Sequence, residues 1–486
     1  MNHKIALVLA CLTLSPLAAL SAGIPATSTE PKLNVLLILS DDHSYPHVGC
    51  YGNKDVLTPN LDKFAAEGMR FDRAYVSSPQ CVPSRASIFT GRSPVEIGMS
   101  RFSSPLPRAI KTYPEALRAA GWFTGLAGRT YHMDGASGTM PPETQAVFDK
   151  YKLKTFPDRL DYVKIGKDEE ISLGQMRDFL NLKPADKPFF LQLCTHDPHR
   201  PLTTKGSVKT DPSKITLPAH YPDTRLVRED LANYYDEISH FDEFFGQAMA
   251  ELENRGLAAT TIVIFMGDNG ASQFRGKGTL YEFGVHVPLI VRWPGKIKPG
   301  SNSTELISGE DIAPTFLESA GLSIPLEMTG KSFAKLMKGE AYEPRTVVFS
   351  ERGAHGYDLP GNTADFDLSR AVVNKTHKLI YNALGELPYW PVDFYKLEFW
   401  KELVAMQKTG KLEPKFEKLY FAPTRPMFEL YDLVNDPSEL TNLAGTPQAQ
   451  AVETQLKSEM HEWMMLQRDF IPLPAIAKKG GKGKGE

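Results

Sequence analysis

The sequence predicts an α/β fold with a largely parallel central sheet, on two observations. Apolar, β-favouring runs at 33–39, 189–194 and 261–266 are continuous, as in strands that are covered on both faces. Segments with helical spacing separate these runs, most clearly at 58–68, where Thr58 is a candidate N-cap. A chain in which strands and helices alternate favours a mostly parallel sheet between helices.

Each apolar run ends in polar side chains that could bind a ligand. Asp41 and Asp42 follow the first run, the segment 196–199 (His-Asp-Pro-His) follows the second, and Asp268 and Asn269 follow the third. Ligands of open α/β sheets bind at the carboxyl ends of the strands, so these segments are expected to share one site. Taken singly, each acidic pair is also typical of an ordinary turn or helix cap.

The pattern changes near residue 351, where short strands replace the longer runs. These strands are predicted at 370–373, 378–382 and 428–432. Helices are predicted over 113–120, 231–254 and, as a final amphipathic helix, 452–470. The end of the chain is therefore expected to be a small antiparallel sheet packed against a helix. The predicted organisation is a signal peptide at 1–22, a large domain at 23–350, a C-terminal subdomain at 351–476 and a disordered Gly/Lys tail at 477–486.

Composition excludes several classes of protein. The 486 residues carry 55 Lys and Arg against 58 Asp and Glu, a formal net charge of −3, so a general nucleic-acid-binding function is not expected. Four cysteines are too few for a disulfide scaffold. Cys50 and Cys194 are either free or paired, and the sequence does not decide between these states.

The first 22 residues are typical of a secretory signal peptide. A basic start at Lys4 precedes an apolar stretch, and small residues around Ala22 suit cleavage. A membrane anchor is disfavoured because Ser15 and Pro16 interrupt the apolar stretch, which falls short of the ~20 residues of a spanning helix. Lipoprotein attachment at Cys11 would leave a very short apolar segment. We expect a secreted or periplasmic protein with no membrane span.

The candidate ligands indicate a hard cation. Asp41, Asp42, Asp268 and Asn269 offer only oxygen atoms. Such a set suits Ca²⁺ or Mg²⁺ better than Zn²⁺.

The segment at 81–85, Cys-Val-Pro-Ser-Arg, followed by Thr-Gly-Arg at 90–92, changes the interpretation. A lone Cys-x-Pro is usually a buried or free cysteine before a turn. Here the segment resembles the Cys-x-Pro-x-Arg motif of type I sulfatases, in the alkaline phosphatase superfamily. Other segments resemble that family in the family's order. They lie at 41–42, 49–52, 58–62, 128–132, 196–199, 268–270, 277–282 and 287–288.

The resemblance covers essentially the whole mature chain and implies an alkaline-phosphatase-like fold with a formylglycine-dependent site. A maturation enzyme would convert Cys81 to formylglycine, whose hydrate is the nucleophile and a ligand of a divalent cation, Ca²⁺ or Mg²⁺. The metal ligands would be Asp41, Asp42, residue 81, Asp268 and Asn269. The substrate would be a sulfated saccharide.

The resemblance also implies roles for five further residues. Arg85 would orient residue 81, Arg129 would bind the hydrate or sulfate, and His132 would assist sulfate elimination. His199 and Lys277 would bind sulfate and protonate the leaving group. His196 is expected to be a structural, hydrogen-bonded residue, as a lone histidine near a strand end commonly is.

Two segments depart from the family pattern. Arg129 stands where most members have lysine, and His132 follows it by three positions rather than two. Arginine can clamp a sulfate but is a poor proton donor. The segment 282–286, Glu-Phe-Gly-Val-His, replaces the usual Glu-Gly-Gly-x-Arg. These departures bear on substrate choice more than on reaction type.

Within the family, the resemblance is closest to the heparan N-sulfatases. It depends mainly on the loop 196–200 and the aromatic stretch 388–395. O-sulfated glycans are the nearest alternative substrates. A phosphate or phosphonate monoester hydrolase on the same fold is the alternative reaction. A degenerate glycan-binding protein is disfavoured, because Cys81 and all four oxygen ligands are present.

Overall fold

The computed structural model describes residues 33–102, 104–134, 142–203, 205–355 and 366–475. The predicted signal peptide and Gly/Lys tail lie outside these residues. The strands are β1 Asn34–Ser40, β2 Met69–Phe71, β3 Ala74–Tyr75, β4 Phe123–Gly128, β5 Tyr162–Val163, β6 Phe189–Cys194, β7 Thr261–Gly267, β8 Leu289–Arg292, β9 Ser301–Ser303, β10 Ile307–Ser308, β11 Val348–Arg352, β12 Ser369–Val373, β13 His377–Asn382 and β14 Phe428–Asp432.

The helices alternate with the strands through the first two thirds of the chain. They are α1 Pro59–Glu67, α2 Cys81–Thr90, α3 Tyr113–Ala119, α4 Pro142–Tyr151, α5 Phe156–Arg159, α6 Glu169–Leu182, α7 Arg225–Asn254, α8 Glu282–Val285, α9 Ile312–Ser319, α10 Ala334–Met337, α11 Glu398–Lys408, α12 Pro414–Tyr420 and α13 Gln450–Leu466. No helix in the described part of the chain has the length and apolarity needed to span a bilayer.

The predicted α/β fold is confirmed. The large sheet has the strand order β5-β4-β6-β1-β7-β8-β2-β9, and only β8 runs antiparallel to its neighbours. In β1, Val35 and Leu37 pack into one apolar cluster, whereas Leu36 and Ile38 pack into another. Both faces of the strand are therefore covered, which explains why the run is apolar at every position.

Helix α1 begins at Pro59 with Thr58 at the predicted N-cap position, but another residue's side chain caps it. The Thr58 hydroxyl accepts a hydrogen bond from the Gly49 amide at 2.8 Å and makes no cap contact in the helix. The carboxylate of Asp242, on α7, instead accepts from the amides of Asn60 and Leu61 at 3.0 and 2.7 Å. The free amides of the first turn are thus satisfied by a residue 182 positions away from Asn60.

The predicted small antiparallel sheet is confirmed, with a fourth strand that the sequence did not predict. Its order is β11-β12-β13-β14, and all pairs are antiparallel. Leu379 and Leu430 pack with Leu456 and Met460 of α13. Helix α13 ends four residues before the predicted end, because the chain leaves the helical conformation at Arg468, whose φ is +55°. The division into domains at 23–350 and 351–476 stays a prediction.

Candidate active site

The carboxyl ends of β6, β1 and β7 lie side by side at one edge of the large sheet. β1 pairs in parallel with both other strands, so Leu39 lies opposite Cys194 and Ser40 lies opposite Gly267. The polar segments that follow therefore meet. The Asp41 amide donates to the Asp197 carbonyl at 3.2 Å, which ties the first segment to the second.

Helix α2 brings Cys81 and Arg85 to this edge. Cys81 is the first residue of the helix and Arg85 lies one turn later on the same face. Both side chains are fully buried. The Cys81 Sγ lies 3.6 Å from Asp41 Oδ1 and 3.9 Å from Asp42 Oδ1. Burial, and next the charge of Asp41, raise the pKa of the Cys81 thiol well above its usual value.

Arg85 joins the first and third segments. Its Nε donates to Asp268 Oδ2 at 2.8 Å and its Nη2 donates to Asp41 Oδ2 at 3.1 Å. Its Nη1 is buried and has no hydrogen-bond partner among the described residues. A guanidinium between two carboxylates offsets part of their mutual repulsion.

The buried carboxylates differ in their pKa. Burial opposes ionisation of Asp41, but the charges of Arg129 and Arg85 hold its pKa well below the usual value. Burial raises the pKa of Asp42 to about 8, against the opposing charge of Lys277. Burial and the charge of Asp41 raise the pKa of Asp268 to about 6. Three carboxylates this close favour a bound cation, which would relieve their repulsion.

The donor set fits a hard divalent cation. Asp41, Asp42, Asp268 and Asn269 are fully buried, and they present carboxylate and amide oxygens at one place. Asn269 Nδ2 donates to Asp42 Oδ1 at 2.8 Å, whereas Asn269 Oδ1 is buried without a hydrogen-bond partner. Asp41, Asp42 and His199 present potential ligand atoms that all lie within 4.8 Å of one another. An unpartnered amide oxygen beside carboxylates is a natural ligand for Ca²⁺ or Mg²⁺.

Arg129 reaches the cluster formed by Cys81 and the buried carboxylates because β4 ends in a tight turn. Gly128 has φ +83°, and a Cβ there would lie 1.8 Å from the Cys194 carbonyl oxygen, so the position requires glycine. The Nε of Arg129 then lies 3.0 Å from Asp41 Oδ2, and its Nη2 lies 3.2 Å from His199 Nε2. The arginine that replaces the usual lysine is therefore brought to the same cluster.

His199 is held in one tautomer. A guanidinium only donates, so the His199 Nε2 accepts from Arg129, and Nδ1 carries the ring proton and donates to the Arg200 carbonyl. Burial, and next the charges of Arg129 and Lys277, lower the pKa of His199 well below its usual value. The neutral ring presents a lone pair toward the cluster, 3.7 Å from Asp42 Oδ2.

Lys277 lies on the other side of Asp42. Its ammonium is 3.0 Å from Asp42 Oδ1 and 2.9 Å from Asp393 Oδ2. Burial opposes the charged form, but the two carboxylates raise the pKa of Lys277 well above its usual value. Lys277 is therefore a charged ammonium group with a proton to donate.

His132 lies in a short 3₁₀ helix, Tyr131–Asp134, and is buried. It presents a ring nitrogen within 4.8 Å of ligand atoms of Asp41 and Cys81. Burial, and next the charge of Arg129, lower the pKa of His132 well below its usual value, so the imidazole is neutral and able to accept a proton.

The structure thus gathers every predicted site residue around Cys81. It also shows two residues that the sequence did not single out. Asp393 contacts Lys277, and Glu169 accepts from the amides of His196 and Asp197 at 2.7 and 2.9 Å. The signal for Asp393 was a single acidic residue inside the aromatic stretch 388–395, whereas Glu169 has no distinguishing sequence pattern.

The segment 282–286 departs from the family motif, and its His286 has a packing role in this structure. The ring of His286 stacks on Tyr45 at 3.9 Å and on Tyr75 at 4.6 Å between centroids. His286 Nδ1 lies 2.9 Å from Glu282 Oε2, and its Nε2 lies 3.1 Å from the Asp72 carbonyl oxygen. The histidine is thus bound on both nitrogens. Cys50 and Cys194, which the sequence left undecided, are both free thiols.

A surface cleft of about 660 Å³ opens from the cluster. His199 and Asp393 line it, together with Arg200, Asp230 and Phe399. Arg200 is paired with Asp230, with Nη1 to Oδ1 at 2.8 Å. A small organic group bonded to an anion held near His199 would occupy this cleft.

Comparison with known proteins identifies the family. The family model described as "Sulfatase" matches residues 33–322, and the model described as "N-sulphoglucosamine sulphohydrolase, C-terminal" matches residues 270–398. The chain belongs to the sulfatase family. Its reaction class is therefore hydrolysis of sulfuric esters.

Two sulfatases are moderately similar in sequence over most of the chain. An ulvan-active sulfatase of Formosa agariphila is 29% identical, covering 94% of this chain and 86% of that protein. The human N-sulphoglucosamine sulphohydrolase is 27% identical, covering 88% and 89%.

Solved structures share the fold of this sulfatase. One, BT4656 in complex with its substrate D-glucosamine-2-N,6-O-disulfate, has a TM-score of 0.65 at 19% identity, covering 90% of this chain and 99% of that one. Another, the phosphonate monoester hydrolase of Agrobacterium radiobacter, has a TM-score of 0.66 at 19% identity, covering 90% and 96%.

Proposed function

We propose that this sulfatase hydrolyses sulfate esters or sulfamates of saccharides, with residue 81 as the nucleophile. The observation that carries the proposal is the convergence of Cys81, four residues with oxygen ligands and five cationic or imidazole side chains at one place. A sulfate group is an anion, so a nucleophile reaches its sulfur only where positive charge offsets the repulsion. The basic members of the cluster are Arg85, Arg129, His132, His199 and Lys277.

Residue 81 would supply the nucleophile beside a bound metal ion. Asp41, Asp42, Asp268 and Asn269 would hold Ca²⁺ or Mg²⁺, and Cys81 would be matured to formylglycine. When bound, the metal lowers the pKa of a formylglycine hydroxyl and offsets negative charge at the sulfate.

Arg85 and Arg129 act by orientation and by charge. Arg85 fixes Asp41 and Asp268 relative to each other, since it donates to both. Arg129 has a planar fork that matches the oxygens of a sulfate, and its other contact, with His199, orients that ring. Arg129 therefore binds sulfate and donates no proton.

Lys277 protonates the leaving atom. It carries a proton and lies beside the cleft that would receive the leaving group, whereas the neutral His199 presents a lone pair. The Nδ1–H of His199 donates to the Arg200 carbonyl and its Nε2 accepts from Arg129, so His199 orients the Arg129 guanidinium beside the sulfate. His132, also neutral, takes the proton that must leave residue 81 when sulfate departs.

N-sulfoglucosamine is the first substrate to test. The C-terminal model that matches 270–398 bears the name of that activity, and so does the human relative. The ulvan-active relative supports an O-sulfated saccharide as the alternative.

We also infer cleavage of a signal peptide near Ala22, a secreted or periplasmic location and maturation by a formylglycine-generating enzyme.

A phosphonate or phosphate monoester hydrolase is the second candidate. It is favoured by the shared fold with the Agrobacterium enzyme, and a metal-supported nucleophile serves either reaction. Rates on matched aryl sulfate and aryl phosphonate esters separate the two candidates.

The test combines mass and activity. Protein made with a formylglycine-generating enzyme is digested, and the mass of the peptide around residue 81 is measured. Wild type and Cys81→Ala are then assayed for sulfate release from N- and O-sulfated glucosamine. We expect an aldehyde at residue 81 and a loss of at least about 10³-fold in the variant. An unmodified thiol with unchanged hydrolysis in Cys81→Ala contradicts the proposal.

A further inference from the structure

Asp393 is the acidic group at the mouth of the candidate site. Its Oδ2 accepts from the Lys277 ammonium at 2.9 Å, and its Oδ1 lies 3.8 Å from His355 Nε2. Its side chain is 33% exposed, whereas Lys277 is 1% exposed. The carboxylate therefore has one side on the buried lysine and another side open to the cleft.

The chain holds Asp393 in this place at some cost. Its φ is +67°, a left-handed conformation that is uncommon for residues other than glycine, though aspartate and asparagine tolerate it best. The segment is anchored to the loop of Lys277. Tyr389 accepts a hydrogen bond from the Arg275 amide at 3.1 Å, and Val392 packs on Gly278, where a Cβ would approach it to 2.5 Å.

A second contact links Asp393 to the start of helix α2. His355 is buried, and its Nδ1 lies 3.0 Å from the side-chain nitrogen of Gln80, the residue before Cys81. Asp393 thus lies between the predicted proton donor and a side chain fixed beside the nucleophile. A carboxylate whose only purpose was to neutralise Lys277 would not need an open face.

We propose that Asp393 determines specificity by accepting a hydrogen bond from a hydroxyl or amino group next to the sulfate that is cleaved, while it orients the Lys277 ammonium toward the leaving atom. The inference rests on the proposed saccharide sulfatase function and specifies its substrate. A sugar with a free hydrogen-bond donor beside the reacting sulfate is accepted. A second anionic group in that position is repelled by the carboxylate.

Asp393→Asn tests this with little disturbance, because asparagine also tolerates positive φ. Each protein is assayed on p-nitrophenyl sulfate, which has no neighbouring hydroxyl, and on N-sulfoglucosamine or glucosamine 6-sulfate, whichever the wild type hydrolyses faster. We expect kcat/KM to fall about 30-fold for the sugar and less than about 3-fold for the aryl ester, because p-nitrophenolate is a good leaving group that needs no proton from Lys277. Glu398→Gln is the control, since Glu398 lines the same cleft but its ion pair is with Lys401.

A substrate lacking the hydroxyl beside the reacting sulfate supplies the second measurement. If Asp393 binds that hydroxyl, the losses from Asp393→Asn and from the deoxy sugar are not additive. Equal losses on sugar and aryl ester, additive losses, or unchanged kinetics overturn the proposal. Thermal unfolding of each variant shows whether a uniform loss reflects folding.

Assays of wild type and Asp393→Asn on sulfated sugars separate the role of Asp393 from the proposed function. If the wild type releases sulfate from sugars and Asp393→Asn does so equally well, only the role of Asp393 is wrong. If the wild type releases sulfate from no saccharide, the proposed function is wrong and this proposal fails with it.

Discussion

The small sheet and the edge of the large sheet both bury charged side chains, and they do so differently. In strand β12 of the small sheet, Arg370 donates to Asp469 Oδ1 at 2.8 Å and to the carbonyls of Arg352 and Ser369. At the edge of the large sheet, Arg85 leaves Nη1 without a hydrogen-bond partner among the described residues. The first arginine is satisfied by the fold, whereas the second belongs to an incomplete arrangement.

The difference shows that burial of charge alone does not mark a functional site. What distinguishes the sheet edge is three buried carboxylates close enough to repel one another, with Asp41 adding to the effect of burial in raising the pKa of both Asp42 and Asp268. Such an arrangement costs free energy of folding unless a bound group offsets the repulsion. Close burial of several like charges is therefore the stronger indication of function.

Replacing Arg85 gives the largest expected effect. In Arg85→Met, Asp41 and Asp268 lose their shared guanidinium, so the carboxylates are no longer held for metal and nucleophile. We expect kcat/KM for sulfate release to fall by about 10³-fold or more. Steady-state kinetics on protein shown to be folded by circular dichroism provide the measurement, and activity within tenfold of the wild type would contradict the assignment.

The equivalent change beside the small sheet should affect stability and leave catalysis intact. Arg370→Met leaves Asp469 buried without its partner, which should lower the free energy of unfolding by about 3 kcal/mol. Urea unfolding measures that loss. Among molecules that remain folded, kcat/KM should stay within about twofold of the wild type. A large catalytic loss in folded protein would erase the distinction between the two regions.

Adding a cation should stabilise only the sheet edge. A divalent ion that binds the folded state at 100 times its Kd stabilises it by about 2.7 kcal/mol. We expect Ca²⁺ or Mg²⁺ to raise the midpoint of thermal unfolding relative to protein in EDTA, because the ion offsets repulsion among Asp41, Asp42 and Asp268. Asn269→Ala is the matched variant, since it removes the unpartnered amide oxygen, and its shift should be smaller. No shift with either ion in the wild type would refute the metal site.

The sequence predicted those parts of the fold and site that depend on local pattern. Continuous apolar runs predicted the buried strands, because a strand covered on both faces leaves no position for polar residues. The Cys-x-Pro-x-Arg motif singled out Cys81 and Arg85, although the helix that holds them one turn apart was not predicted. The roles of these residues stay a prediction, although the structure brings the residues together.

Contacts between distant segments were beyond the sequence. Asp242 caps a helix that begins at Pro59, and Asp393 reaches Lys277 across more than a hundred residues. Neither contact leaves a local pattern, because its geometry depends on how the elements pack. The same holds for His286, whose ring lies between two tyrosines although its segment departs from the family motif at the level of sequence.

Glu351, in the small sheet, departs from this pattern, because its buried carboxylate is poorly compensated. Its nearest cation, Arg370 Nη1, is 3.8 Å away, and neither carboxylate oxygen has a hydrogen-bond partner among the described residues. Burial raises the pKa of Glu351 from 4.5 to about 7. The positive charge of Arg370 opposes this rise, and the negative charge of Asp469 adds to it.

Below pH 4.5, Glu351 is protonated in both the folded and unfolded states. As pH rises from 4.5 through 7, the unfolded chain loses this proton first, so the free energy of unfolding falls. Glu351→Gln removes that dependence, and relative to the wild type the variant should gain about 2 kcal/mol of stability between pH 5 and pH 8. Urea unfolding at both pH values provides the measurement, with Glu340→Gln, at an exposed position, as the control. A constant difference across that range would mean that Glu351 is ionised in the fold and that the small sheet compensates every buried charge after all.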